Sequence, residues 1–311
     1  MSNKRILFID LDFHKGTGSS NFFVNILKSF GDVEIRHEAF TYGGNSPSDK
    51  AFVDDALEFD LVVCWQVIDP AVAIARMGHK NILWVPMMDS NPRGNYIEDL
   101  KSHKVLCFSS TLYYQLQRDG FKNLFYAKYY PEPKETKLTF NEINPYFWQR
   151  SSVPTWRDVC KSLSRTRHGT FNIHWRPDDR DIKLPHPSHV EKGRHGIRVT
   201  EWFETKQEAE DNLEKSNLYF APRYTEGIGM SFLDAMAMGM PVVSFDSPTA
   251  NEYITSGYNG ILMDSVEINR PISGLTVDTV RRMSDNTVRF MKVGHEQWRY
   301  DKESIITWLI S

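Results

Sequence analysis

The stretch YTEGIGMSFLDAMAMGMPVVSF, residues 224–245, decides the fold of this sequence. It follows an apolar run at 217–222, passes through two glycines into an amphipathic segment, and ends in a second apolar run at 241–245. This order is typical of a strand, a loop, a short helix and the next strand. Two acids, Glu226 and Asp234, lie in the loop and the helix with seven residues between them. We therefore expect Glu226 at the carboxyl end of a parallel sheet, where doubly wound folds bind ligands.

The two glycines between the acids suggest an anion site. Gly227 and Gly229 would leave the first amide groups of the helix open, and the partial positive charge of those groups suits a phosphate or diphosphate. Glu226 and Asp234 would flank that anion, and carboxylates are good acceptors for sugar hydroxyls. The alternative is an ordinary strand-loop-helix unit whose apolar run at 233–243 only packs in the core. The spacing alone leaves both interpretations open.

The rest of the chain repeats this alternation of short apolar runs and amphipathic segments, which predicts an α/β protein with parallel strands and crossover helices. The predicted strands lie at 5–11, 33–40, 59–67, 81–88, 104–110, 123–130, 145–150, 170–175, 196–202, 217–222 and 241–245. The predicted helices lie near 20–29, 50–57, 69–77, 110–119, 154–164, 205–215, 230–238 and 250–256. The stretch 165–198 is rich in Pro, His and Arg and is expected to be largely irregular.

The alternation of apolar and amphipathic segments is interrupted at YYPEPKETKLTFNEIN, where two prolines and a run of charged residues indicate a domain boundary near residue 138. We predict two Rossmann-like domains in tandem, at 1–138 and 139–290. The remaining segment, 291–311, has apolar residues at helical spacing and is expected to form a C-terminal helix.

Composition narrows the function classes. The chain has 311 residues, 41% of them hydrophobic, and a formal net charge of −3, so a nucleic-acid partner is not expected. Its three cysteines are widely spaced and predict neither a disulfide framework nor a zinc knuckle. Asp10 and Asp12 interrupt the first apolar run too early for a signal peptide, and no stretch of ~20 apolar residues follows. We expect a cytoplasmic protein, either soluble or attached peripherally at the inner face of the membrane.

The order of residues over 221–262, APRYTEGIGMSFLDAMAMGMPVVSFDSPTANEYITSGYNGIL, resembles the donor-sugar signature of the GT-B glycosyltransferases of the large retaining family called group 1 or family 4. In that family a strand ending in Pro leads to Glu, Gly, an apolar residue and Gly, then to a second acid before A-M-x-x-G-x-P-V-V. The resemblance implies a GT-B fold, with the C-terminal helix crossing back to the first domain, and a nucleotide-sugar donor. Glu226 would be catalytic and contact the donor hexose, while Asp234 would hold the ribose.

The same resemblance implies that the backbone at four positions approaches the sugar and diphosphate; these are Gly227, Ile228, Gly229 and Met230. The second acid departs from the family, because it is Asp where Glu is usual. A further family element is a strand ending in Gly-Arg followed by Lys-Gly, whose cations neutralise the diphosphate without a metal. Arg150, in FWQRSSVPTW, is the candidate for the arginine, and the lysine is missing. No metal is expected, since the histidines at 186, 189 and 195 have no Cys or acidic ligand at metal-site spacing.

Two places in the first half add candidates. Gly16 and Gly18 precede a helix. The resemblance to GT-B glycosyltransferases implies that a glycine-rich loop here approaches the donor phosphates or the acceptor, with an ordinary tight βα turn as the alternative. Asn21 stands where a dinucleotide fingerprint needs its third Gly, which argues against a nicotinamide enzyme. Asp89 follows the fourth strand, where the family often has a His, and is the catalytic candidate for assisting the acceptor hydroxyl or for stabilising positive charge at the anomeric carbon. Its alternative role is to cap the turn that begins there.

The hypothesis is a metal-independent retaining hexosyltransferase that acts on a glycan or lipid-linked acceptor in bacterial surface polysaccharide synthesis, without a cofactor. A GT-B nucleotide-sugar epimerase remains an alternative, and a phosphorylase would need a pyridoxal-phosphate lysine that the sequence offers only poorly. From a different class, the missing Lys and His and the shorter second acid also fit a non-catalytic sugar-nucleotide-binding or partner subunit.

Overall fold

The computed structural model describes residues 4–12, 14–38, 53–90, 95–177 and 184–311. Two compact units divide the chain, the first comprising Met1–Tyr129 with Gln297–Ser311 and the second Tyr130–Glu296. Each unit has one six-stranded sheet, and every described strand pair is parallel. The predicted α/β class is confirmed.

The sheet of the first unit has the strand order β2-β1-β3-β4-β5-β6. Its strands are β1 Lys4–Leu11, β2 Gly31–Glu38, β3 Leu61–Trp65, β4 Ile82–Val85, β5 Lys104–Cys107 and β6 Leu124–Tyr126. Its helices are α1 His14–Thr17, α2 Asn21–Lys28, α3 Asp69–Arg76 and α4 Ser110–Arg118, with 3-10 turns at Ala56–Glu58, Met88–Ser90 and Asn95–Leu100. The central strands β3 and β4 are buried along their whole length, as parallel strands covered on both faces are.

The sheet of the second unit has the order β12-β11-β10-β7-β8-β9. Its strands are β7 Pro145–Gln149, β8 Phe171–Trp175, β9 Ile197–Thr200, β10 Leu218–Ala221, β11 Val242–Phe245 and β12 Gly260–Met263. Its helices are α5 Trp156–Ser162, α6 His189–His195, α7 Lys206–Leu213 and α8 Met230–Ala237, with 3-10 turns at Ala250–Glu252 and Ser265–Glu267. The last helix, α9 Val277–Ile310, begins in this unit.

Each predicted strand run contains a strand, but three other predictions need correction. The helix predicted near 250–256 is only a 3-10 turn at Ala250–Glu252, and β12 was not predicted. Helix α6 lies in the stretch expected to be irregular; a capping box starts it, in which Ser188 and Glu191 bond each other's backbone N–H groups. The ends of two predictions, at 39–40 and 50–52, lie outside the described residues.

The first unit ends at Tyr129, whereas the sequence placed the boundary near residue 138. The segment that follows packs on the second unit, because the Lys134 N–H donates to Ala237 O at 2.8 Å and the Lys134 ammonium lies 2.7 Å from Glu210. At the other end of the chain, α9 begins at Val277, earlier than the predicted 291, and its residues from Gln297 onward belong to the first unit.

Aromatic packing explains why the C-terminal residues belong to the first unit. The Trp298 ring packs edge-on against Phe22 and Tyr129, at centroid distances of 5.8 and 5.3 Å. Further along, the Trp308 indole N–H donates to Asn123 Oδ1 at 3.0 Å. Trp298 and Trp308 therefore anchor the end of the helix in the first unit.

Candidate functional site

The loop between β10 and α8 holds the residues of the opening stretch. Glu226 lies in this loop with only 6% of its surface exposed. The Thr249 hydroxyl, which is fully buried, contacts Glu226 O at 3.0 Å and Gly227 O at 2.8 Å. These two hydrogen bonds connect the loop after β11 to the loop after β10 and hold the Glu226 backbone in place at the carboxyl edge of the sheet.

Helix α8 begins at a glycine for a conformational reason. Gly229 has φ +84°, and a Cβ there would overlap the ring of Phe232. The N-cap residue is this glycine, which has no side chain that could cap the helix. The anion site that the sequence predicts at the first amide groups of the helix stays a prediction. Gly227 and Ile228 are buried beside Gly229, and Met230 is the half-buried first residue of the helix.

A pocket of about 340 Å³, open solvent at its mouth included, lies against this loop in the second unit. The residues that line it come from β7, the loop after it, β10, and the loop and helix that follow β10. They are Phe147, Trp148, Arg150, Ser151, Pro154, Tyr219, Phe220, Ala221, Pro222, Arg223, Glu226 and Ser231. Arg150 and Glu226, which the sequence singled out 76 positions apart, meet in this pocket.

Several polar and charged side chains around the pocket act on the pKa of the buried Tyr219. Burial raises the pKa of its phenol to about 12, and the negative charges of Glu226 and Asp234 act in the same direction. A hydrogen bond with Ser231 and the positive charge of Arg150 lower that pKa. These four side chains are therefore near enough to act on one phenol group, which associates Asp234, half-buried in α8, with Arg150 and Glu226.

Sequence reasoning missed Tyr219 and Ser231. Tyr219 lies within an apolar strand and stacks on Tyr146 with centroids 5.3 Å apart, so the run resembled ordinary core. Ser231 is three residues before Asp234 on α8, and positions three apart share a helix face. That spacing was the available signal.

Arg150 leaves the end of β7 beside an aromatic ring. Its guanidinium carbon lies 4.6 Å from the centroid of the Trp148 ring, a cation–π distance. The residue before it, Gln149, is fully buried. The position of Arg150 at the carboxyl end of a strand is the one that the sequence predicted, and its role in binding a donor stays a prediction.

Arg223 is a second basic residue of the pocket, and it was not predicted. Its Nε lies 3.4 Å from Glu226 Oε1, and its carbonyl oxygen accepts a hydrogen bond from the Ser247 hydroxyl at 3.1 Å. The residue follows Pro222 at the end of β10. An arginine directly after a strand-ending proline was the signal that could have found it.

The candidates of the first half lie in the first unit. Gly16 is inside the short helix α1 rather than in an open loop, and a Cβ there would meet nothing within 4 Å. Gly18 has φ +62° and ends that helix, with its N–H bonded to His14 O at 2.9 Å. Asp89 is exposed in the 3-10 turn after β4. The residues that follow it, 91–94, lie outside the described ranges, so its capping alternative stays open.

A buried polar cluster at the end of β1 was also missed. Asp10 accepts hydrogen bonds from the Ser20 hydroxyl at 2.6 Å and from the Leu11 N–H at 2.8 Å. Its other contact is with the Nδ1 atom of His14 at 2.5 Å. The i,i+4 spacing of Asp10 and His14 after an apolar run is the sequence signal that marks this cluster.

Metal-binding clusters and membrane-spanning helices are both absent from the described residues. No group of three or more His, Cys, Asp or Glu side chains there is placed to hold a metal ion. Helices long and apolar enough to cross a bilayer are likewise absent from the described ranges. Residues 178–183, part of the stretch rich in Pro, His and Arg, lie outside those ranges.

Part of the chain is similar to known glycosyltransferases. Residues 177–275 match the family described as Glycosyl transferases group 1. Over 63 residues, 20% of this chain, the sequence is 35% identical to an uncharacterized glycosyltransferase of Haemophilus influenzae. The aligned part is 18% of that relative's length.

Solved structures cover the whole fold. Sucrose-phosphate synthase of Thermosynechococcus elongatus superposes with a TM-score of 0.70 at 12% identity, covering 97% of each chain. HepE of Anabaena, in complex with UDP and glucose, gives a TM-score of 0.69 at 14% identity and covers 99% of this chain and 100% of that one. The predicted GT-B fold is confirmed, and the resemblance to group 1 glycosyltransferases is confirmed over residues 177–275. Fold and domain together support a glycosyltransferase.

Proposed function

We propose that this protein is a retaining, metal-independent glycosyltransferase that moves a hexose from a nucleotide diphosphate sugar to a glycan or lipid-linked acceptor. The observation that carries the proposal is the pocket of the second unit, where Arg150 and Glu226 meet beside the glycine-started helix α8. A guanidinium and free helix amides favour a diphosphate, and a buried carboxylate favours sugar hydroxyls. A role in surface polysaccharide synthesis is part of this proposal.

Each residue has a proposed part. Arg150 and the backbone from Gly227 to Met230 hold the diphosphate, Glu226 holds the hexose, and Asp234 holds the ribose. Catalysis then comes from positioning the donor and from electrostatic stabilisation of the leaving diphosphate, which needs no strong nucleophile. Asp89 is proposed to assist the acceptor hydroxyl, and Gly16 and Gly18 to allow close approach of a phosphate or the acceptor.

UDP is the first nucleotide to test, because HepE of Anabaena, which shares this fold, was solved with UDP and with UDP-glucose. We propose that the donor is a UDP-hexose. The positive groups of the pocket bind the diphosphate whichever base it carries, so GDP- and ADP-sugars belong in the same experiment.

The test is release of free nucleotide from a panel of nucleotide sugars, measured with and without excess chelator. We expect slow hydrolysis of one donor that survives chelation, and product with the anomeric configuration of the donor by NMR. If chelation stops release and manganese restores it, metal independence is wrong. If nucleoside diphosphate binds but no sugar is released or transferred, the protein is the non-catalytic binding subunit.

A further inference from the structure

The segment that follows Arg150 is tied to the buried amide of Gln149. The Gln149 Nε2 donates to Ser151 O at 2.6 Å and to Pro154 O at 3.2 Å, and its Oε1 accepts from the Trp156 N–H at 2.7 Å. The bonds to Pro154 O and from the Trp156 N–H are buried and the bond to Ser151 O is partly buried, so the fully buried Gln149 amide holds the backbone of the segment at these three residues. This is the segment in which the family resemblance would place a lysine.

The fixed segment contributes no cation to the pocket. Its lining residues there are Ser151 and Pro154, and Thr155 bonds Asp158 to cap α5, with the Thr155 N–H 2.8 Å from Asp158 Oδ2. A donor diphosphate carries more charge than one guanidinium neutralises. A second side-chain cation on another wall of the pocket would add to the neutralisation that Arg150 and the helix amides supply.

Arg223 stands on that other wall. It follows β10, the neighbour of β7 in the sheet, whereas Arg150 follows β7. Its backbone is held on both sides, since its N–H donates to Ala221 O at 2.9 Å and its carbonyl accepts from Ser247. Its side chain is 32% exposed, so the guanidinium is accessible yet partly shielded. Among the described lining residues, Arg150 and Arg223 are the basic ones.

The contact between Arg223 and Glu226 uses only part of the hydrogen-bonding capacity of the Arg223 guanidinium. A guanidinium has five N–H donors, and the 3.4 Å contact with Glu226 involves Nε. The remaining donors form the planar fork that matches two phosphate oxygens. We infer that Arg223 is a second donor-binding residue, which contacts the diphosphate and replaces the charge that a lysine in 151–156 would supply. This inference rests on the proposed function.

A rival role for Arg223 is to orient Glu226 without touching the donor. The two roles predict different effects of the Arg223 and Glu226 variants on the affinity for a nucleoside diphosphate. If Arg223 binds the diphosphate, removing its charge weakens a nucleoside diphosphate, while Glu226→Gln leaves that affinity nearly intact. If Arg223 acts only through Glu226, the two variants lose the same affinity.

The experiment is calorimetric titration of the full chain with UDP, UMP and uridine, with GDP and ADP in parallel. The proteins are wild type, Arg223→Gln, Arg223→Lys, Glu226→Gln and Arg150→Ala. Arg270→Gln is the matched control, because Arg270 also forms an i,i+3 ion pair, with Glu267 at 2.6 Å, and lies outside the pocket lining. Melting temperatures of all variants show whether each is folded.

We expect Arg223→Gln to weaken UDP binding about tenfold, the scale of one charge-assisted hydrogen bond, while uridine affinity stays within about twofold. Arg223→Lys should recover part of the loss, Arg150→Ala should lose at least as much, and Arg270→Gln should match wild type. Unchanged diphosphate affinity in folded Arg223→Gln would overturn the inference, as would an equal loss in Glu226→Gln. If wild type binds none of the three diphosphates, the proposed function fails first and the inference falls with it.

Discussion

The two sheets have the same parallel, six-stranded architecture, but different charged side chains follow the strands that lead to the buried Asp10 cluster and to the pocket. In the first unit, β1 ends at the buried Asp10 cluster and β2 ends at Glu38, whose pKa rises to about 7 through burial and the nearby charge of Asp69. In the second unit, β7 and β10 are followed by Arg150 and Arg223. One architecture thus supports acids at the ends of β1 and β2, here called the acidic edge, and a pair of arginines after β7 and β10, here called the cationic edge. The loops after the strands therefore decide which ligands each place favours.

The largest effect should come from Glu226, the acid at the cationic edge. Glu226→Gln removes a charge that contacts the hexose in our proposal, so transfer should fall by ~10² to 10³, the scale of one well-placed electrostatic contact in the transition state. Initial rates with a saturating donor measure it. A matched change at the other edge, Asp10→Asn, should act mainly on stability, because Asp10 accepts bonds from its own unit. A transfer rate insensitive to Glu226→Gln would remove the acid from catalysis.

The second effect concerns His174, which lies on β8 in the second unit. Burial and the neighbouring Arg176 lower its pKa from 6.5 to about 4, so the folded protein keeps the ring neutral where the unfolded chain binds a proton. Stability is therefore lost as the pH falls from 6.5 toward 4, by about 2 kcal/mol.

Urea titrations of wild type and His174→Phe between pH 4 and 8 test this. Phe keeps an aromatic ring against Phe203, on which His174 stacks with centroids 4.8 Å apart. The variant should lose the His174 part of the acid dependence. Identical pH profiles for the two proteins would mean that His174 is not held neutral in the folded state.

The third effect has the opposite sign and belongs to the acidic edge. The raised pKa of Glu38 means that the folded protein keeps its proton up to about pH 7, whereas the unfolded chain releases it near 4.5. Stability is therefore lost as the pH rises from 4.5 to 7. Because Glu38 is only partly buried, we expect about 1 kcal/mol.

Glu38→Gln tests this sign. The variant should be more stable than wild type at pH 8 and equal to it at pH 4, as measured by the free energy of unfolding. If Glu38→Gln were less stable than wild type at pH 8, the Glu38 carboxylate would have a stabilising partner. Burial and the charge of Asp69 would then not destabilise the ionised form.

The sequence predicted the sheets well, because each buried parallel strand is a continuous apolar run that needs no tertiary information to recognise. It missed β12 at Gly260–Met263, a short run that follows a turn, and α6, which has no buried residue and only one large apolar side chain, that of Val190. The only sequence sign of α6 is local, the Ser188 and Glu191 capping box.

The site residues that lie close together in one motif could be predicted from the sequence. The contacts between site residues and hydrogen-bond partners that no motif links to them could not. Glu226, Gly229 and Asp234 could be found from one stretch. The hydrogen bonds between Gln149 and the backbone of 151–156 could not be predicted, because a buried amide has no preferred sequence partner. Tyr219 was hidden for a similar reason, because a tyrosine in an apolar strand resembles core until its hydroxyl partner is known.

The central claim is that Glu226 and Asp234 hold different parts of one nucleotide sugar. The measurement that tests it most directly is the affinity of UDP for wild type, Asp234→Asn and Glu226→Gln by calorimetry. Asp234→Asn should weaken UDP by ~1 to 3 kcal/mol, because the ribose hydroxyls lose a charged acceptor, and Glu226→Gln should leave it nearly unchanged. Asp234→Glu, which restores the usual family residue, should bind as tightly as wild type or slightly more tightly. If Glu226→Gln lost UDP affinity while Asp234→Asn kept it, the assignment of the two acids would be contradicted.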